Sequence, residues 1–162
     1  MKTYRIYQLI DPRDGLPFYV GCTQNPGERM YVHYRIVGNN PAREKIVQDS
    51  VASGLRFKVE IIDEITCDNR DIARTLEDLW ITEKRKQTNY KLTNIESHAN
   101  VLDWGDMFDF TQKRDILFAY SEMDEIHRVA LEQSIKALSR EYYEILWEYR
   151  DKERLSAKLA NL

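Results

Sequence analysis

Hydrophobic and polar residues alternate in two short stretches near the start of the chain, residues 4–10 and 18–22. A period of two predicts β-strands that bury one face. The segment between them, "DPRDG", is rich in residues that favour turns. We therefore expect a β-hairpin with a loop longer than the two-residue type.

A helical pattern follows the hairpin. Asn25 can cap a helix, Pro26 suits its first position, and Glu28 is placed to return the capping bond. We expect this helix to run to about Val37, where "GNNP" ends it.

The remaining segments complete an α/β pattern. We expect a helix over residues 42–53, a third strand over 57–65 and a long amphipathic helix over 69–86. From about residue 107 the sequence contains no Pro or Gly and is rich in helix-forming residues, which predicts two or more helices. The fold we predict is a small, mainly antiparallel three-stranded sheet flanked by helices, with an all-helical C-terminal extension. The domain organisation we predict is residues 1–100 for the α/β domain and 101–162 for the extension.

The hairpin and the first helix bring four polar side chains into range of each other. If the hairpin is centred at Arg13, Tyr7 lies directly opposite Tyr19, with Cβ atoms roughly 5 Å apart. On this face Gly21 would leave room above the sheet for another group to approach. Arg29 and His33 are four residues apart, so they share one face of the helix, and that face packs inward. A charged arginine that points into a domain needs a partner or a ligand.

Composition and charge narrow the function classes. The net charge is −3, which argues against a strongly basic, non-specific nucleic-acid binder. Residues 1–100 are nearly neutral, and the excess of carboxylates lies in the C-terminal third. No apolar run approaches the roughly 20 residues of a membrane span, so we expect no membrane association. Two cysteines are too few for a disulfide framework, which predicts a cytoplasmic protein.

Several motifs in order resemble those of the GIY-YIG nuclease family. "RIY" at residues 5–7 stands for the first signature and "YVG" at 19–21 for the second, although Arg5 replaces the first glycine. Arg29 and His33 follow at the family's spacing. "LEDLWITE" resembles the helix that carries the metal-binding glutamate, which places that carboxylate at Glu77. The resemblance covers roughly residues 4–96.

The site asparagine of this family is less clearly matched. "YKLTN" resembles the segment that carries it, but Lys91 stands where many members have the asparagine. Asn94 is the candidate by this resemblance, with Asn89 as the second choice.

The resemblance implies a metal-dependent endonuclease that hydrolyses a phosphodiester bond in DNA. Glu77 would hold one divalent cation, Mg²⁺ or another such as Mn²⁺, and Tyr7 would be the general base. Arg29 would stabilise negative charge on the phosphoryl oxygens, while His33 and Tyr19 would orient Tyr7, the water or the phosphate. We expect Tyr7, Tyr19, Arg29 and Glu77 to line one concave surface.

Each of these residues also has an ordinary structural explanation when it is taken alone. Tyrosines are common in buried strands, Glu77 lies at the border of its helix's apolar stripe, and asparagine is a frequent turn residue. The alternative function is therefore a catalytically inactive domain of this family that binds nucleic acid or protein. The acidic net charge is consistent with this alternative.

The C-terminal helices carry a second apolar pattern that the nuclease resemblance does not explain. Six residues follow the four-and-three spacing of a heptad seam: Leu131, Ile135, Leu138, Tyr142, Ile145 and Tyr149. This seam would pack on the chain's own helices, or it would support a homo-oligomer or a protein partner.

Overall fold

The computed structural model of the protein describes residues 1–35, 40–87, 92–95 and 100–159. Its elements, in chain order, are β1 (Lys2–Ile10), β2 (Pro17–Thr23), α1 (Pro26–Tyr34), α2 (Pro41–Ala52), β3 (Lys58–Cys67), α3 (Arg70–Gln87), α4 (Phe110–Glu122) and α5 (Glu125–Leu159). The three strands form one antiparallel sheet in the order β2-β1-β3. The predicted α/β fold with C-terminal helices is confirmed.

The predicted register of the hairpin is wrong by two residues. Tyr7 lies opposite Gly21, and Leu9 lies opposite Tyr19. The loop closes later than the sequence suggested, because Asp11 bonds to Leu16 and Gly15 across the turn, and Gly15 adopts a positive φ of 75°. A shift of two preserves the face of each residue, so Tyr7 and Tyr19 remain on the same side of the sheet.

The start of α1 agrees with the sequence only in part. The Asn25 side chain accepts a bond from the Glu28 backbone N–H at 3.2 Å, as expected of a cap. The predicted return bond to the Asn25 backbone is absent, because that N–H donates to Thr23 Oγ1 at 3.1 Å instead. The helix ends at Tyr34, earlier than predicted, and Val37 lies outside the described residues.

The sheet is covered on both faces by helices. On one face Tyr7, Leu9 and Tyr19 pack with Val47 and Phe57, under α1 and α2. The other face carries the larger core, which joins the sheet to α3, α4 and the first part of α5. Its buried members include Tyr4, Ile6, Val20, Ile65, Ile72, Leu76, Leu102, Trp104, Leu117, Tyr120 and Ile135.

The larger core contains residues from both sides of position 100. A partly buried ion pair also joins the two sides: Arg114 of α4 donates two bonds to Asp63 of β3, at 2.7 and 2.9 Å. Trp80 of α3 donates a third bond to the same carboxylate at 2.9 Å. The division into residues 1–100 and 101–162 stays a prediction.

The heptad seam does not face one neighbour along its whole length. Ile135 is buried in the core, but Leu138 and Ile145 are 52% and 60% exposed, and Trp147 beside them is 63% exposed. A homo-oligomer or protein partner at this end of α5 stays a prediction. In the part of the chain that the structure describes, none of the helices has the length and apolarity of a membrane span.

Candidate active site

Tyr7 lies at the centre of a buried hydrogen-bonded group. Its hydroxyl is 2.7 Å from His33 Nε2 and accepts a bond from Arg29 Nε at 3.1 Å. The helical spacing of Arg29 and His33 places both side chains over β1, as the sequence predicted. His33 is 4% exposed and Tyr7 is 2% exposed, so these two side chains are shielded from bulk solvent, while Arg29 is only half-buried.

The protonation of this group follows from its bonds. Burial, and then the charges of Arg43 and Arg29, lower the pKa of His33 to about 3, so the imidazole is neutral at pH 7. Arg29 can only donate, which leaves the Tyr7 proton free to point at His33 Nε2. Burial raises the pKa of Tyr7 above its ordinary value, and the charge of Arg29 opposes that effect. Within the described residues His33 Nδ1 has no hydrogen-bond partner.

Tyr19 borders the same group from β2. Its ring centroid is 6.3 Å from that of Tyr7 and 5.4 Å from that of His33. Arg43 of α2 lies behind it, with its guanidinium carbon 5.3 Å from the Tyr19 ring centroid. Two arginines therefore flank the phenols, one on each neighbouring helix.

Gly21 makes room for Tyr7 rather than for a ligand. A Cβ at position 21 would lie 2.5 Å from Tyr7 Cζ and 2.8 Å from Tyr7 Cε1. The tyrosine ring therefore fills the space that the sequence suggested was open. The missing side chain lets the phenol lie across β2.

We expect Gly21→Ala to destabilise the protein by about 1–3 kcal/mol, because the added methyl group must displace a packed ring. Thermal unfolding measures this. Gly27→Ala is the matched control, because its added Cβ would meet only Asn25 Oδ1 at an ordinary 3.7 Å, and alanine favours a helix over glycine. Equal melting temperatures for wild type and Gly21→Ala would contradict the assigned contact.

Glu77 approaches from the other helical layer and meets Arg29 in a cleft at one end of the sheet. This cleft, of about 620 Å³, lies where β1 begins and where β2 and β3 end. It is lined by Lys2, Tyr4, Cys22, Thr23, Gln24, Asn25, Glu28, Arg29, Asp68, Arg70, Arg74 and Glu77. Neither catalytic tyrosine candidate is among these lining residues. Of the four residues expected to line one concave surface, Arg29 and Glu77 do so. Tyr7 and Tyr19 are buried behind it, and the bond from Arg29 to Tyr7 connects them to the cleft.

The environment of Glu77 suits a site for one hard cation. Burial, and then the neighbouring charge of Asp78, raise its pKa to about 7, while Arg29 and two other arginines oppose this. A carboxylate that is costly to ionise gains from a divalent cation beside it. Among the described residues there is no group of three His, Cys, Asp or Glu side chains that could form a metal cage. Mg²⁺ often binds proteins through one or two carboxylates and keeps several waters, so this residue set fits it.

Asn94 does not reach the Tyr7 group in the structure. Its side chain accepts from the Val20 backbone N–H at 2.9 Å and donates to the Val20 carbonyl at 2.7 Å. The preceding Thr93 bonds to the Phe18 carbonyl through its backbone N–H at 2.8 Å. Asn94 thus bonds to β2 next to Tyr19, and its role in a site stays a prediction. Asn89 lies outside the described residues.

Arg43 of α2 also lies beside the Tyr7 group, and it was not predicted from the sequence. It is 9% exposed and shares the inward face of α2 with Val47 and Ser50, at the helical spacing of four and three. That spacing was the available signal, because an arginine four residues before a buried valine lies on the buried face. Arg70 and Arg74, which line the cleft, were also missed.

In a comparison with family models, residues 3–91 match the GIY-YIG catalytic domain. The match includes Tyr7, Tyr19, Arg29, His33 and Glu77, and ends before Asn94. No curated protein and no solved structure matches the chain.

Proposed function

Because the chain belongs to the GIY-YIG family, whose members are nucleases, we propose that it is a metal-dependent endonuclease that hydrolyses a phosphodiester bond in DNA. The observation that carries this proposal is the hydrogen-bonded group of Tyr7, Arg29 and His33 beside Glu77. Such a group supplies a proton acceptor, a fixed positive charge and an oxygen ligand within one small region. The proposed hydrolysis uses all three.

In the proposed reaction Tyr7 takes a proton from the attacking water, and His33 accepts the proton that Tyr7 gives up. The geometry supports this role, because Nε2 of the neutral imidazole is 2.7 Å from the phenol oxygen and has a free lone pair. A general base must be within hydrogen-bond reach of the proton that it removes. Since Tyr7 is buried, the substrate and water must approach from the Arg29 side.

Arg29 and Glu77 act on the phosphate in this proposal. The planar guanidinium of Arg29 donates to the phosphoryl oxygens as negative charge grows on them. A divalent cation held by Glu77, Mg²⁺ or Mn²⁺, supplies Lewis-acid stabilisation of the same charge when it is bound. Tyr19 orients the phosphate or the water through its hydroxyl. Asn94 positions Tyr19 by its two bonds to the neighbouring residue of β2.

Incubation with supercoiled plasmid and with branched DNA tests the proposal. We expect nicked or linear product with Mg²⁺ or Mn²⁺. We expect none with excess chelator, because the chelator removes the cation that Glu77 would hold and, with it, the Lewis-acid stabilisation of the phosphate. Cleavage that continues unchanged in chelator would contradict the one-metal mechanism.

The pKa of Glu77 gives a second test that needs no substrate. In the folded protein this pKa is raised from 4.5 to about 7, so the stability that protonated Glu77 contributes is complete below pH 4.5 and is lost as pH rises through 7. A cation that binds the ionised form restores it. We expect Mg²⁺ or Mn²⁺ to raise the melting temperature more at pH 8 than at pH 6, and not to do so in Glu77→Gln. A metal-induced shift of equal size at both pH values would contradict this assignment.

An inactive binding domain is the second candidate function. The observation that favours it is the burial of both phenols, with Tyr7 2% and Tyr19 9% exposed. The plasmid experiment separates the two candidates, because DNA binding without cleavage under every metal condition favours the inactive domain. A cytoplasmic location stays a prediction.

A further inference from the structure

The cleft beside Glu77 is lined mainly by residues that have no part in the proposed chemistry. Four cationic residues line it, namely Lys2, Arg29, Arg70 and Arg74, against three carboxylates, Glu28, Asp68 and Glu77. Arg29 is engaged with Tyr7, so the other three cations are not used by the proposed chemistry.

Two of these three cations are free of ion pairs. Lys2 and Arg70 make none within the part of the chain that the structure describes, and Arg74 has only a 3.5 Å contact to Asp71 between half-exposed side chains. A contact of this kind contributes little. Asp68, the carboxylate nearest in sequence to Arg70, is itself bound by Arg128 at 3.0 Å. The positive charge at this end of the cleft is therefore available to an anion.

The spacing on α3 suits a polyanion rather than a single small anion. Residues 70, 74 and 77 lie within about 60° of each other around the helix and span roughly 10 Å along it. One strand of duplex DNA carries a phosphate about every 3.4 Å along its axis, so this span corresponds to about three nucleotides. Arg70 and Arg74 can then meet phosphates that neighbour the one at Glu77.

The other basic run on α3 points elsewhere. Lys84 lies 5.5 Å from the Trp80 ring centroid, and Arg85 donates to the Asn94 carbonyl at 2.9 Å. None of the residues from Lys84 to Lys86 lines the cleft. The cations at the N-terminal end of α3 therefore line the cleft, and those at its C-terminal end do not.

We propose that Lys2, Arg70 and Arg74 bind the phosphate backbone of the DNA strand next to the reacting phosphodiester. The strand then leaves the catalytic residues past the N-terminal half of α3, and the run at 84–86 does not contact it. This inference rests on the proposed function for its ligand, DNA. It concerns how the DNA strand is bound and which way it leaves the site, not the chemical step.

Equilibrium binding of a fluorescent 30-base-pair duplex, measured in chelator at several salt concentrations, tests it. We expect the double variant Arg70→Gln/Arg74→Gln to weaken binding at least tenfold at low salt and to reduce the salt slope by about two, one for each lost phosphate contact. The matched control on the same helix, Lys84→Gln/Lys86→Gln, should change affinity less than twofold. An unchanged affinity for Arg70→Gln/Arg74→Gln, an equal loss in the control, or no binding by the wild type would overturn the proposal.

A parallel plasmid assay with Mg²⁺ separates this inference from the proposed function. If the wild type cleaves DNA and Arg70→Gln/Arg74→Gln binds and cleaves equally well, the proposed phosphate contacts are wrong and the nuclease proposal stands. If the wild type binds through Arg70 and Arg74 but never cleaves, the phosphate contacts are supported and the nuclease proposal fails.

Discussion

Glu77→Gln should lower the rate of DNA cleavage at least about a hundredfold and leave the fold intact. The substitution keeps the shape of the side chain but removes the negative charge that would hold the cation. It also removes a carboxylate that is costly to ionise in its half-buried position, since burial raises the pKa of Glu77 to about 7. We therefore expect the metal-free variant to be at least as stable as wild type at pH 8.

Initial rates of plasmid nicking and a thermal unfolding curve measure both parts of this prediction. Glu28→Gln is the matched control, because Glu28 lines the same cleft and is exposed, but it has no role in the proposed reaction. Its rate should stay within about twofold of wild type. Glu77→Gln with a near wild-type rate would remove the metal ligand from the mechanism.

Tyr7→Phe should also lower the cleavage rate at least about a hundredfold, because it removes the proposed general base. The ring still fills the space over Gly21, so packing is retained. The hydroxyl, however, bonds to both Arg29 and His33, and leaving the buried imidazole without this partner costs about 1–3 kcal/mol. At a temperature well below unfolding, a loss of stability of this size leaves nearly all of the variant folded. A hundredfold lower rate would therefore report the loss of the base and not unfolding.

The control for Tyr7→Phe is Tyr34→Phe, the residue next to His33 on α1. Tyr34 stacks on Phe57 with ring centroids 4.3 Å apart, a contact that phenylalanine preserves. Single-turnover cleavage with saturating enzyme separates the chemical step from binding. Near wild-type turnover by Tyr7→Phe would refute Tyr7 as the base.

Local patterns predicted the elements and part of the site. The alternation in β1 and β2 and the four-residue spacing of Arg29 and His33 are set by backbone geometry, so the sequence alone was enough to place these side chains near Tyr7. The position of Glu77 followed from the family resemblance, because its own helix pattern marked it only as a border residue.

Features that depend on tertiary contacts were not predictable in the same way. The hairpin register was decided by bonds from Asp11 across the loop, together with a bulge between Leu9 and Ile10. The place of Asn94 depends on a segment that returns to β2 from more than seventy residues away. On α5 the heptad pattern continues past the point where the helix packs on the core. Ile135 is buried in the core, whereas Ile145 is exposed.

The bonds from Asn94 and Thr93 to β2 have a consequence for how the sheet behaves towards other chains. β2 is an edge strand, and an open edge is a template on which a second molecule can add a strand and begin to aggregate. Here a side-chain amide and one backbone N–H occupy the outward groups of Phe18 and Val20. The opposite edge, β3, is protected differently, by the bulge that faces Ile6 and Tyr7 and by charged residues such as Glu60 and Glu64. Both margins of the three-stranded sheet that the structure describes are thereby made poor partners for self-assembly.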